Sequence, residues 1–369
     1  MDYLRILFVF ILSISDYSNS FENVIIVFAF ILMISSLSRF ILSTNTVNIK
    51  INRSINLIVL ILLVTHFISL FSNISLGDIQ IEPSLKFVMY FFVFYDIMSI
   101  KNIKSKKNFI LLTILFFSIF HLSSVFLGEQ LRNNYLYSDP NYLFFIYSIY
   151  IYLLVFCINF KNNFPTKILI YTLLLLLVYL MFTTQSRGGI ISLVFALIYY
   201  IIKSKKSKSY KFFLVLFISF TTYLSIIYFE FSENVINRFS NQRLSDRGAQ
   251  DSRLIELNSA IKLLINNPEY LIVGTGPNNF SRIQREFIQY NNNISRVHNS
   301  TIGVLFEFGF LALFAYLKLF FVLYKYFKDP IERTFLVYIF INSQSIYVIN
   351  FVAFWILIAF LLIVNKSKK

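Results

Sequence analysis

Apolar stretches recur along nearly the whole chain, near 3–15, 23–42, 55–72, 84–100, 108–127, 141–159, 166–184, 188–203, 210–228, 299–324, 333–348 and 350–365, separated by short polar connections. An α-helix rises about 1.5 Å per residue and the hydrocarbon layer is about 30 Å thick, so roughly 20 apolar residues cross it. The pattern predicts an all-α membrane protein: a polytopic helical bundle of about 12 transmembrane helices, or ten to twelve because the first run and the last two are short. One long stretch departs from it. Between Phe229 and Val297 both signs of charge and several turn residues occur together, in a loop joining the ninth span to the tenth. Inside this loop Leu254, Leu257, Ile261, Leu264 and Ile265 recur at helical spacing, with Arg253, Glu256 and Ser259 on another face. That spacing predicts an amphipathic helix, capped by Asp251 or Ser252 and stopped by Asn266-Asn267-Pro268. The following Val273-Gly274-Thr275-Gly276-Pro277-Asn278-Asn279-Phe280 predicts a tight turn back towards the bilayer.

Composition strengthens this picture: the chain is 57% hydrophobic and 14% charged, which leaves no material for a separate soluble domain. Residues 1–369 are therefore expected to form a single transmembrane domain, with 229–297 as its one large extramembrane loop. A net charge of +15 would ordinarily suggest nucleic acid. Here the lysines cluster in alternate connections, such as Lys101/Lys104/Lys106/Lys107 and Lys203/Lys205/Lys206/Lys208/Lys211, while the intervening connections carry acids such as Asp16, Glu22, Asp78 and Glu129. The positive-inside rule accounts for that alternation. It places both termini in the cytoplasm and 229–297 outside, and no nucleic-acid partner is expected. The lone Cys157 lies within an apolar run, which excludes a disulfide framework or thiol cluster. His66 and His121 fall on different spans, where interhelical hydrogen bonding is the expected role, so neither a metal nor another cofactor is expected.

Charge type then separates the two sides. Seven of the eight bases in 229–297 are arginine, whereas the cytoplasmic clusters are almost all lysine. The planar guanidinium fork suits bidentate contact with phosphate or carboxylate oxygens, which points to an anionic ligand outside. The alternative is a solvated mini-domain in which these arginines pair with Glu230, Glu233, Asp246, Asp251, Glu256 and Glu286. Arg187 stands at the outer start of a span, in Thr184-Gln185-Ser186-Arg187-Gly188-Gly189, where its charge and the helix N-terminal amides both attract an anion. A snorkelling arginine beside two packing glycines is the alternative there. Arg132 lies in the outer loop that leads through Asp139-Pro140 to Asn141. His298 marks the boundary where the long loop meets the tenth span, and Glu307 is an acid within that span. Nine residues of regular helix put Glu307 on the far side from His298, so its expected partner is a neighbouring helix or an arginine.

Several of these segments, in this order and on this side, resemble the O-antigen ligase and O-antigen polymerase superfamily. They are Ser186-Arg187-Gly188-Gly189 at a helix start, Arg253 opening an amphipathic helix, Pro268, Gly274-Thr275-Gly276-Pro277, and His298-Asn299 followed by Gly309. The Asp139-Pro140-Asn141 turn is similar too, and the resemblance covers about Arg132 to Ala312. It implies a metal-independent, inverting glycosyltransferase in the bacterial inner (cytoplasmic) membrane, acting at the periplasmic face among membrane lipids. The implied donor is a glycan on undecaprenyl pyrophosphate. The implied acceptor is a lipid-linked repeat unit for a polymerase or lipid A-core for a ligase, and a chain-length regulator is a further conceivable partner. By the same resemblance His298 is the catalytic base, and Arg187 and Arg253 bind the pyrophosphate, with Arg247, Arg282 and Arg132 as further candidates. Asn299, Glu307 and Asn141 are supporting residues. Ala312 stands where the ligase form usually has Gly, Thr or Tyr, which makes polymerase the first expectation and ligase the second. A transporter or accessory membrane protein handling the same lipid-linked glycan is the alternative of another class. Polar residues gathered at one face, rather than along a path through several spans, favour the enzyme.

Overall fold

The computed structural model describes residues 53–72, 81–98, 103–126, 140–158, 162–184, 186–205, 252–280, 297–349 and 351–368, with isolated positions elsewhere. The predicted spans near 3–15, 23–42 and 210–228 fall almost wholly outside the described residues. Every regular element described is helical: α1 (Arg53–Ser72), α2 (Ile81–Met98), a 3-10 turn (Ile103–Lys106), α3 (Lys107–Phe126), α4 (Pro140–Ile158), α5 (Phe164–Thr183) and α6 (Arg187–Lys203), then α7 (Ser252–Asn266), α8 (Glu269–Val273), α9 (Ser300–Tyr326), α10 (Pro330–Asn342) and α11 (Val352–Lys368). Four of these, α1, α4, α5 and α9, are long and apolar enough to cross a membrane, and α6 and α11 are shorter apolar helices.

Two helices form the centre. Residues 353–365 of α11 are all buried, as are nearly all positions of α4 between Asn141 and Cys157. A helix that is apolar on every face belongs inside a bundle. Trp355 of α11 meets Phe87 and Phe94 of α2 edge-on, with ring centroids 6.1 and 6.0 Å apart, and its indole N–H donates to the Ile349 carbonyl at 2.9 Å. The surrounding helices keep one apolar stripe facing outwards. On α1 this stripe is Leu57, Leu60, Val64, Phe67, Ile68 and Phe71, and on α3 it is Leu112, Phe116, Ile119 and Phe120, all exposed. Such contiguous apolar area is tolerated against lipid and not against water.

Two departures from regular helices position the candidate site. The first lies within α9, where Gly309 adopts φ 80°, ψ −177° and divides the helix. A regular helix would satisfy the Phe306 and Glu307 carbonyls from residues four positions on, and the break withdraws those donors. The turn after α8 replaces them. Thr275 donates to the Phe306 carbonyl through its amide (2.8 Å) and hydroxyl (3.1 Å), and the Gly276 amide donates to the Glu307 carbonyl at 3.0 Å. Ser69 of α1 completes the junction, donating to the Glu307 carbonyl and accepting from the Gly276 amide at 2.8 Å. Buried non-helical backbone in a membrane protein requires this kind of internal pairing.

Substituting Ser69→Ala should therefore lower the melting midpoint of the purified protein in detergent by a few degrees, each buried hydrogen bond contributing about 1 kcal/mol. An unchanged midpoint would mean that Ser69 does not support the break.

The second departure follows α10. An apolar span near 333–348 is predicted, but the helix ends at Asn342 and residues 343–349 run without regular helix. The cause is the polar run Asn342-Ser343-Gln344-Ser345, whose hydroxyls turn back on the last carbonyls: Ser343 donates to Phe340 at 2.6 Å and Ser345 to Asn342 at 2.9 Å. His66 also differs from expectation. Its ring lies between Phe87 (4.6 Å) and Phe308 (4.7 Å), and neither nitrogen has a hydrogen-bond partner among the described residues. Aromatic stacking takes the place of the expected interhelical hydrogen bond.

Candidate active site

The site is built around the start of α9. Asn299 caps this helix, accepting from the Ile302 amide at 3.0 Å, while its own amide donates to the Gln344 carbonyl at 3.2 Å. Ser300 donates to the Ile346 carbonyl (2.7 Å) and accepts from the Val348 amide (2.8 Å), and Thr301 donates to the Gln344 side chain at 2.9 Å. The α9 N-terminus is thereby fastened to the irregular 343–348 segment, and His298, immediately before the cap, is held at this junction. Its ring Nδ1 lies 2.8 Å from Oε2 of Glu256 on α7, and its backbone N–H reaches the same oxygen at 3.3 Å.

Helix α7 follows the predicted amphipathic pattern. Ala260, Leu263 and Leu264 form a small core with Phe280, Ile283, Val297 and Phe306, separate from the main one. That packing sets α7 against α9 and fixes where Glu256 meets His298. Arg253 is the second residue of α7, one helical turn before Glu256.

The start of α6 reaches the same 343–348 segment from another side. Ser186 caps α6 by accepting from the Gly189 amide at 3.0 Å and donates to Asn141 Oδ1 at 2.5 Å, so the cap is anchored on α4. A Cβ on Gly188 would lie 2.3 Å from Ser345 Oγ, and one on Gly189 would lie 2.4 Å from the Phe144 ring. The two glycines are therefore required for this close approach. Arg187 is the first residue of α6, and its backbone sits at the positive end of that helix.

Glu307 occupies a distinct position, in the break of α9. It is buried, accepting from Tyr347 Oη at 2.8 Å through one oxygen and from the Asn278 amide at 3.2 Å through the other. Tyr347 belongs to the same irregular segment, and its backbone N–H and carbonyl both engage the Tyr142 hydroxyl of α4, at 3.3 and 3.2 Å.

Of the residues predicted from sequence, Asn299 and the α6 start anchored by Asn141 abut the 343–348 segment, His298 directly precedes Asn299 and pairs with Glu256, and Glu307 is joined to the segment through Tyr347. Arg132, Arg247 and Arg282 lie outside the described residues. Two further contributors carry only weak signals in the sequence. Glu256 stands among the acids expected to pair with arginines, and its place one turn after Arg253 on the polar face of an amphipathic helix is the signal that sets it apart. The 343–348 segment falls within an expected span, and its signal is Asn342-Ser343-Gln344-Ser345, an unusual polar run between two apolar stretches.

Comparison with known families finds that residues 172–317 match a model described as O-antigen ligase. The matched region runs from α5 to the middle of α9, and includes Arg187, Arg253, Glu256, His298 and Gly309. No curated protein matches the chain.

Proposed function

We propose, from the match of residues 172–317 to the O-antigen ligase model, that this chain is a member of the O-antigen polymerase and ligase superfamily and an inverting glycosyltransferase of the bacterial inner membrane. It would transfer a glycan from undecaprenyl pyrophosphate, at the periplasmic face, to a lipid-linked repeat unit. The observation that carries this reading is His298, hydrogen-bonded between the amphipathic helix α7 and the capped start of α9. In the reaction His298 takes the proton of the acceptor hydroxyl. The hydroxyl oxygen forms a bond to the anomeric carbon as the bond from that carbon to the pyrophosphate breaks, and the electron pair leaves with the pyrophosphate. Negative charge grows on the leaving group, and arginines stabilise it. Arg187, at the N-terminus of α6, and Arg253, one turn before Glu256, are the proposed clamp. Arg247, Arg282 and Arg132 are further candidates. The long lipid tail would lie against the apolar stripes that the outer helices present.

Transfer of finished polymer to lipid A-core is the second reading, favoured by the description of the matched family as O-antigen ligase. Ala312, on which the polymerase expectation rests, is fully buried, so it can act only through packing and cannot touch an acceptor.

Surface-glycan profiling of a deletion strain distinguishes the two. A polymerase deletion leaves lipid A-core bearing one repeat unit, whereas a ligase deletion leaves bare core while lipid-linked polymer accumulates. Complementation with Arg187→Ala or Arg253→Ala is expected to lower transfer by about 10²–10³-fold, the usual effect of removing one group that stabilises developing charge. A normal ladder from either variant at normal expression would remove that arginine from the clamp.

A further inference from the structure

Resting on the reading of His298 as the base, we infer that Glu256 is the positioning residue that holds the imidazole in the working tautomer, with hydrogen on Nδ1 and the lone pair on Nε2. A single carboxylate oxygen, Oε2, faces both the backbone N–H of His298 (3.3 Å) and its ring Nδ1 (2.8 Å). An ionised carboxylate only accepts hydrogen bonds, so a neutral ring turned towards it must present N–H at Nδ1. The opposite tautomer would set two lone pairs against each other at 2.8 Å. Once Nδ1 carries the hydrogen, Nε2 is the basic nitrogen.

Burial agrees with this division of labour. The Glu256 side chain is 3% exposed and that of His298 is 27% exposed, so the carboxylate lies inside while the ring opens towards the exterior. A buried carboxylate is costly without hydrogen-bond donors, and His298 supplies it with two. When Nε2 takes the acceptor proton the ring becomes a cation, and the adjacent carboxylate stabilises that charge without itself being protonated.

The arrangement is also preorganised. Glu256 stands on a helix, four residues before the buried Ala260 that packs with Val297, the residue preceding His298. Two bonds to one oxygen, made by the backbone and the ring of the same residue, leave the imidazole little freedom to rotate about χ1 and χ2. Nothing in the sequence spacing reveals this pairing, because the two residues are 42 positions apart.

The test uses the full chain in nanodiscs, labelled with 15N-histidine. The chain has three histidines, so the His298 signals are identified by their loss in His298→Ala. Activity is assayed with lipid-linked repeat units isolated from a strain deleted for this chain. In the wild type, His298 is expected as the Nδ1–H tautomer. Glu256→Ala should move it towards Nε2–H and lower kcat by at least about tenfold and up to roughly 10⁴-fold, the scale of losing a triad carboxylate. KM should change little. In Glu256→Gln the backbone N–H of His298 selects the amide oxygen, rather than the NH2, at the same place, so this variant should keep the Nδ1–H form and recover part of kcat. A loss confined to KM, or an unchanged tautomer and kcat in both variants, would overturn the inference. If His298→Ala were itself fully active, the reading of His298 as base would fall; if His298→Ala were inactive and Glu256→Ala active, only the positioning role would.

Discussion

His298→Ala is expected to lower glycan transfer by about 10²–10⁴-fold, the usual contribution of a positioned general base. The loss should appear in kcat, because the imidazole acts on the acceptor proton in the transition state and the proposed donor clamp resides in other residues. The fold should survive the change. The ring is partly exposed, and the Glu256 carboxylate keeps the backbone N–H of residue 298 as a donor. The α9 cap through Asn299 does not involve the ring. The measurement is transfer in isolated membranes, normalised to folded protein from size-exclusion chromatography. Wild-type turnover at wild-type expression would remove His298 from the chemistry and bring the transporter or accessory reading forward.

The second large effect belongs to the glycines at the α9 break. Gly309→Ala and Gly274→Ala should each prevent the chain from accumulating in its native fold. Gly309 has φ 80°, ψ −177° and Gly274 φ 76°, ψ 178°, a backbone region that is essentially restricted to glycine. Strain there costs about 1–3 kcal/mol per residue. Space is a second, independent constraint. A Cβ on Gly309 would lie 2.3 Å from the Ile272 carbonyl oxygen, and one on Gly274 would lie 2.2 Å from the Glu307 carbonyl oxygen. Both obstacles are backbone atoms that no rotamer change can move aside. Relieving either clash separates the turn from the helix and strips the Phe306 and Glu307 carbonyls of the Thr275 and Gly276 amides. Each buried polar group left without a partner costs about 1–3 kcal/mol more, against a total stability of only about 5–15 kcal/mol. Detergent extraction followed by fluorescence-detected size-exclusion chromatography reads the outcome directly. A monodisperse peak with the wild-type melting midpoint would show that the break tolerates a side chain.

These two predictions differ in how far the sequence alone could reach them. His298 was legible because it is one of three histidines and stands where a polar loop meets an apolar span. Gly309 was legible as a residue of the motif, but its role was not. Read as a regular helix, α9 would place Glu307 opposite His298 with an unnamed partner. In the fold, the helix is interrupted two residues later and Glu307 receives Tyr347 and the Asn278 amide. Likewise the 333–348 stretch is apolar enough to suggest a span, and only the hydrogen bonds from Asn299, Ser300 and Thr301 show that its second half is the bracket for the α9 start.

By itself the sequence determined that this is a helical membrane protein, where α7 begins and ends, and which cation-bearing helix starts and which histidine deserve attention. Those properties are local: hydrophobic length, helical periodicity, capping residues and turn residues are written in neighbouring positions. Only the tertiary structure decided that Glu256 meets His298, that the turn at Thr275-Gly276 fills the break at Gly309, and that Tyr347 reaches Glu307. Each of these joins residues between 31 and 42 positions apart through backbone carbonyls, amides and single side-chain oxygens. Any polar residue can offer such groups, so the pairing is set by how the helices pack and leaves no pattern along the chain.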